Sequence, residues 1–277
     1  MIYETIDLGS RFPGLPRAYP ATLTAYARAA SPELGARRYP ACVICPGGAY
    51  AGLSEREGEP VALALAARGI QCFVLRYSVA PARYPTQLLQ AAAAFAYLRE
   101  NAALYQLAPD ALHILGFSAG GHLAGHYANA WSMPLLRETL GVERETLRPN
   151  GAILCYGVLS ALERTHGDSI RNLLGEQDTP AMREAISFEK NVSADTPPAF
   201  LWHTAADDAV PVENSLYAAE ALSRAHIPFE MHIYPEGGHG LALGDWRTDW
   251  LGKSPRPVAR WTEDCAAWIL RRAGLGD

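Results

Sequence analysis

The sequence predicts an α/β fold: one open, mostly parallel sheet covered by helices on both faces. Two observations carry this. Short apolar runs of strand length alternate with stretches of helical spacing from Ala41 through the closing Val258–Arg272 segment, the order that parallel strands with helical crossovers require. The polar, glycine-rich segments fall at the ends of those strands, where open sheets of this kind bind ligands. A chain of 277 residues can hold one large or two small domains, and the unbroken alternation favours one domain over 1–277.

Tyr3–Leu8 and Ala21–Ala27 alternate as two antiparallel edge strands, separated by the Pro- and Gly-containing Phe12–Pro20. Ala41–Cys45 is an apolar strand that ends in Pro46-Gly47-Gly48-Ala49-Tyr50. Such a loop is either a tight turn or a cradle of exposed backbone N–H groups. Glu59–Arg68 has helical spacing and Gly69 stops it. Ile70–Tyr77 is a buried strand, and Ser78–Pro85 a polar loop. Pro85–Tyr105 reads as a long amphipathic helix with Leu88, Ala92, Phe95 and Ala102 on one face. Beyond residue 150 the expected elements are strands Gly151–Gly157, Ala199–Thr204 and Pro228–Tyr234, and helices Glu213–Ala225 and Val258–Arg272. The stretch 158–198 is too long for a connection and too short for a domain, so it reads as a small insertion over the strand ends.

The most informative stretch is Ala111–Leu123. Leu112, Ile114 and Leu115 are strand-like, Ala119–Ala130 is helix-compatible, and between them Gly116-Phe117-Ser118-Ala119-Gly120 has the G-x-S-x-G pattern. A serine on such a strand-to-helix turn is strained and lifted clear of the sheet. Its flanking glycines are needed because strand and helix approach so closely that a Cβ would collide. The following helix N-terminus favours negative charge beside it.

A serine hydroxyl needs a base, and the base needs an orienting acid. Acids at a strand end after Ser118 are Asp207 and Asp208, and Asp207, three before Val210, is the preferred one. His239, flanked by glycines in Pro235-Glu236-Gly237-Gly238-His239-Gly240, is the preferred base, with His203 as runner-up. His232 alternates within a strand and is expected to be packed. His122 and His126 have i, i+4 spacing but no intervening acid as in H-E-x-x-H, so no metal site is expected there.

Composition excludes several classes. A net charge of −5 speaks against nucleic acid and anionic membranes as partners, and no apolar run is long enough to cross a bilayer. Met1–Ser10 carries Glu4 and Asp7 without a basic start or apolar stretch, so no secretory leader is expected. Of the five cysteines, Cys42, Cys45, Cys72 and Cys155 lie in apolar segments, which fits free thiols in a reducing, cytoplasmic setting.

With these pieces assembled, the chain resembles the α/β-hydrolase-fold serine esterases, and within them the small carbohydrate acetylesterase and acetyl-xylan-esterase-like group. The resemblance rests on Pro46–Tyr50, Arg76-Tyr77-Ser78, Tyr84-Pro85, Gly116–His122, Thr196–Phe200, Pro211–Leu216 and Gly237–Gly240. It implies an α/β-hydrolase fold without a large cap domain, and a serine that is acylated and then released by water. It makes Ser118 the nucleophile, His239 the general base and acid, and Asp207 its partner, with no cofactor and no metal. Carried over from the His-Gly-Gly-Gly loop of related lipases, it implicates Gly48, Ala49 and Ala119 as oxyanion donors. Pro46 replaces the leading His and Ala49 the last Gly, which leaves Gly47 and Ala49 as competing donors.

Tyr50, Tyr77, Trp202 and Trp246, together with Leu241, cluster in sequence around the strand ends and are candidates for a sugar-stacking, substrate-binding surface. The expected partner is a small-molecule ester, an acetylated carbohydrate. A serine peptidase or arylformamidase cleaving an amide is the alternative in the same mechanistic class. A non-catalytic ligand-binding homologue is the alternative outside it.

Overall fold

The computed structural model describes residues 1–249 and 257–275. In chain order the elements are β1 (Ile2–Asp7), α1 (Leu8–Arg11), β2 (Thr22–Ala27), β3 (Tyr39–Cys45), α2 (Glu59–Ala66), β4 (Gln71–Arg76), α3 (Thr86–Glu100), β5 (Leu107–Phe117), α4 (Ser118–Ala130) and α5 (Pro134–Leu140). They continue with β6 (Gly151–Cys155), α6 (Gly167–Leu174), α7 (Pro180–Ile186), α8 (Phe188–Asn191), β7 (Ala199–Thr204), α9 (Glu213–Arg224), β8 (Phe229–Tyr234) and α10 (Trp261–Arg272).

The described strands form one sheet in the order β1-β2-β4-β3-β5-β6-β7-β8. The first two strands and the β2–β4 contact are antiparallel, and every pair from β4 to β8 is parallel. The expected architecture is therefore observed. Strand alternation sends side chains to two cores. Ala41, Val43, Leu112, Ile114, Ala199 and Leu201 join α3, α4 and α9 on one face. Cys42, Ile44, Leu115, Phe117, Phe200 and Trp202 join α2 and α10 on the other. The central strands β3 to β7 carry buried apolar residues at both parities because each face is roofed by helix, whereas β1 and β8 at the edges are largely exposed or half-buried.

Two elements depart from expectation. α3 ends at Glu100 and is buried around nearly its whole circumference from Thr86 to Leu98, so it is not amphipathic. Its buried amides find internal partners: Gln90 Nε2 donates to the Tyr19 carbonyl at 2.9 Å and its Oε1 accepts the Ser78 N–H at 2.8 Å, while Gln87 is paired through Nε2 only. Gln87 Nε2 donates to the Ser78 carbonyl at 3.0 Å. Paired amides can be buried where unpaired ones could not. β5 begins at Leu107 rather than near Ala111, because Tyr39 N–H pairs with the Gln106 carbonyl and extends the ladder.

The segment 158–198 contains the three short helices α6, α7 and α8. Asn172 Nδ2 donates to the Ala49 carbonyl at 2.9 Å, and the Tyr84 N–H donates to the Leu173 carbonyl at 2.9 Å. The insertion thus braces the loop after β3.

Candidate active site

β5 runs into α4 through Ser118, whose φ of 51° is left-handed. A non-glycine residue is strained there. The crowding that imposes it is visible at two glycines: a Cβ on Gly116 would overlap the Gly120 carbonyl, and one on Gly120 would overlap the Cys45 carbonyl. Gly120→Ala is accordingly expected to destabilise the protein by more than about 3 kcal/mol, since backbone on both sides must give way. A thermal or urea midpoint close to wild type would contradict this.

The chain after β8 brings His239 over the elbow. Its Nε2 lies 2.8 Å from Ser118 Oγ, and its Nδ1 lies 2.8 Å from Asp207 Oδ2. With Nδ1–H donating to the carboxylate, Nε2 is left to accept the serine proton. Ser118 is buried, 8% exposed, whereas the His239 side chain above it is 21% exposed. Asp207 Oδ1 accepts the N–H groups of Ala209 at 3.0 Å and Val210 at 2.8 Å. Burial alone would push this carboxyl up, but hydrogen bonds from His203 and His239 and from the Val210 amide outweigh it. They hold Asp207 well below the usual carboxylate range. Asp208 is exposed, and its Oδ1 accepts only the His239 backbone N–H at 3.3 Å.

His203 lies on the far side of Asp207 from the serine. Its Nε2 is 3.0 Å from the Val210 carbonyl, which makes that nitrogen the donor, and 3.3 Å from Asp207 Oδ2; its Nδ1 faces Ser215 Oγ at 2.8 Å. It orients the carboxylate rather than the serine, a position that strand order along the chain did not reveal.

The loop after β3 folds against the elbow. Gly48 has φ 130°, Ala49 55° and Tyr50 55°, a tight left-handed turn closed by the Ala51 and Gly52 N–H groups on the Gly48 carbonyl. Gly47 cannot supply a free donor, because its N–H is already given to Glu57 Oε2 at 2.7 Å. The amides of Gly48 and Ala49 have no protein acceptor among the described residues. Ala119, second residue of α4, has no acceptor within its own helix.

Three of the four aromatic candidates for a stacking surface are corrected. Trp202 is fully enclosed, stacked on Trp261 at 5.2 Å; its even position in β7 sends it into the α2/α10 core, away from the strand ends. Tyr50 is fully buried with its hydroxyl 2.8 Å from His122 Nδ1, and Tyr77 is buried with its hydroxyl donating to the Pro46 carbonyl at 2.6 Å. Both brace the loop after β3. Trp246 is 86% exposed, and Leu241 packs partly against the α2/α10 core. His122 and His126 are buried on α4 with rings 5.9 Å apart, held uncharged by desolvation. Glu57 and Tyr156, described below, were not singled out by the sequence; a Glu in a polar Ser54–Glu59 run carries no periodic or motif signal.

The sheet order, the serine at a strand-to-helix turn and the loops converging on it define an α/β hydrolase. The chain belongs to the BD-FAE family, which matches residues 30–222. It is 36% identical over 223 residues to endo-1,4-beta-xylanase B of Butyrivibrio fibrisolvens, covering 76% of this chain and 34% of that protein. It is 31% identical over 212 residues to the acetylxylan esterase of Xylanibacter ruminicola, covering 74% of this chain and 42% of the relative. The chain thus spans less than half the length of these two relatives. Among solved structures, the acetyl ester-xyloside bifunctional hydrolase of Caldicellulosiruptor lactoaceticus superposes with TM-score 0.83 at 35% identity, over 99% of this chain and 97% of that one. The carboxylesterase Cest-2923 of Lactobacillus plantarum gives TM-score 0.83 at 28% identity, over 100% and 99%. No helix among the described residues is long and apolar enough to cross a membrane.

Proposed function

We propose that this protein is a serine carboxylesterase that hydrolyses short-chain, acetyl esters of sugars or oligosaccharides through a Ser118-His239-Asp207 triad and an acyl-enzyme. The observation that carries this is the unbroken pair of 2.8 Å contacts from Asp207 through His239 to Ser118. Ser118 Oγ attacks the ester carbonyl as His239 Nε2 takes its proton. The resulting oxyanion is held by the N–H groups of Gly48, Ala49 and Ala119. The tetrahedral intermediate expels the sugar alcohol, which leaves with the proton returned by His239. Water then repeats the sequence in reverse roles and releases acetate. Each oxyanion donor in such a site contributes on the order of 10²–10³ in rate.

The acetyl preference is supported by the printed activities of the acetylxylan esterase and the acetyl ester-xyloside hydrolase. The exposed indole of Trp246, on the loop after His239, suits stacking against a sugar face. The five buried free thiols support a reducing, cytoplasmic setting.

The test is acetate release from acetylated xylo-oligosaccharides and acetylated monosaccharides, run beside p-nitrophenyl acetate, butyrate and octanoate. Turnover is expected to fall steeply with acyl length. Faster cleavage of aminoacyl or formyl-aromatic amides would move the protein to the peptidase or arylformamidase class. Failure of a fluorophosphonate to label Ser118 would point to a non-catalytic homologue.

A further inference from the structure

We infer that Glu57 is a positioning residue that ties the oxyanion loop to the loop carrying His239. The inference rests on the esterase reading above. Glu57 lies on the short turn Glu55–Glu57 and is 2% exposed. Its Oε2 accepts the Gly47 N–H at 2.7 Å, and its Oε1 accepts the Tyr156 hydroxyl proton at 2.7 Å. Tyr156 Oη in turn accepts the Ala242 N–H at 2.8 Å, three residues beyond His239. The Tyr156 ring stands edge-to-face with the His239 imidazole at 5.2 Å. Tyr156 closes β6 with a φ of 37°, a strained conformation that persists only where surrounding contacts over-determine it. Arg56, the adjacent residue, donates to the Gly240 carbonyl at 2.7 Å. One turn therefore holds the backbone of both loops that face Ser118.

The geometry calls for two acceptor oxygens at this place. Both partners of Glu57 donate to it, one to each oxygen, whereas an isosteric amide has a single acceptor oxygen and leaves either the Gly47 N–H or the Tyr156 hydroxyl proton without its acceptor. Burial pushes the Glu57 carboxyl up, and the Tyr156 and Gly47 hydrogen bonds and the charges of His239 and Arg56 offset this only in part, so its pKa stays above the ordinary value. The tie also sets the loop geometry. Gly47 is wedged so closely that a Cβ would stand 2.7 Å from Glu57 Oε2, 2.8 Å from the Phe117 carbonyl and 2.9 Å from Ser118 Cβ. Its amide is thereby anchored beside the serine, and the next two amides, which have no protein acceptor among the described residues, follow directly from it. Such preorganisation acts where charge develops, so it belongs to the transition state rather than to ground-state binding.

The experiment compares wild type, Glu57→Gln, Tyr156→Phe and the double variant on p-nitrophenyl acetate, with active sites counted by fluorophosphonate labelling at completion. For each single variant kcat per labelled site is expected to fall about 10- to 100-fold, on the scale of losing one oxyanion donor or less, with KM within about threefold. Affinity for a trifluoromethyl ketone, whose adduct places an oxyanion in the same hole, is expected to fall by the same factor. The double variant should lose little more than Glu57→Gln alone, because both changes cut one tie. Unchanged kcat per labelled site, or a kcat loss without loss of ketone affinity, overturns the inference. Should Glu57→Gln fail to fold, Tyr156→Phe, which deletes a single oxygen, decides by the same criteria. A wild-type protein that neither turns over esters nor labels would overturn the esterase reading itself, and this inference with it.

Discussion

Ser118→Ala is expected to lower ester hydrolysis by on the order of 10⁴–10⁶ in kcat, to the residual rate that binding and oxyanion donors sustain without a nucleophile. The fold should survive. The Ser118 hydroxyl makes one side-chain contact, to His239 Nε2, and the His239 side chain is 21% exposed, so water can take the vacated place at a cost within about 1 kcal/mol. Alanine also inherits the backbone strain at φ 51° without adding a β-branch. The measurement is turnover beside the thermal midpoint. Turnover equal to wild type by the folded variant would remove the mechanism, since no other hydroxyl stands within hydrogen-bonding distance of His239 Nε2 among the described residues.

Asp207→Asn should come next, at on the order of 10⁴ in kcat, whereas Asp208→Asn should change kcat by no more than a few-fold. The difference follows from what each carboxylate receives. Asp207 accepts from two imidazoles and two backbone amides, and an amide NH₂ facing the two ring N–H groups would turn His239 to the tautomer that cannot take the serine proton. Asp208 receives one long backbone contact in solvent. The reverse ranking would reassign the orienting acid. The same carboxylate carries a pH signature. Its folded pKa is depressed below the unfolded value of roughly 3.9, so its stabilising contribution is present above that value and lost as pH falls toward the folded one. The gap in stability between wild type and Asp207→Asn should therefore be constant near neutrality and shrink below about pH 4.

The elbow was legible because it is local. Gly116, Ser118 and Gly120 lie within five consecutive residues, and the strand before and helix after them have opposite periodicities that a sequence displays directly. His239 was legible by its glycine flanks and place after the last strand. Trp202 shows where such reasoning stops. β7 is buried at every position and carries apolar residues at both parities, Ala199 and Leu201 on one and Phe200 and Trp202 on the other, so nothing in the alternation says which parity faces the α10 core. α3 shows the same limit for helices: Gln87 and Gln90 look solvent-facing until their acceptors, up to 71 residues away in the chain, are known.

The order of strands and helices, the strained serine and the choice of acid and base come from short-range signals: periodicity, glycine placement and spacing from a strand end. What the folded molecule alone decided are the contacts between segments distant in sequence. These include the anchoring of the Gly47 amide by Glu57, the link from Tyr156 to the loop after His239, the second imidazole behind Asp207, and the burial of Tyr50 and Tyr77. The physical reason is that a hydrogen bond across 99 residues, such as that from Tyr156 to Glu57, leaves no local pattern, because either partner alone would be an ordinary polar residue until the sheet brings them together.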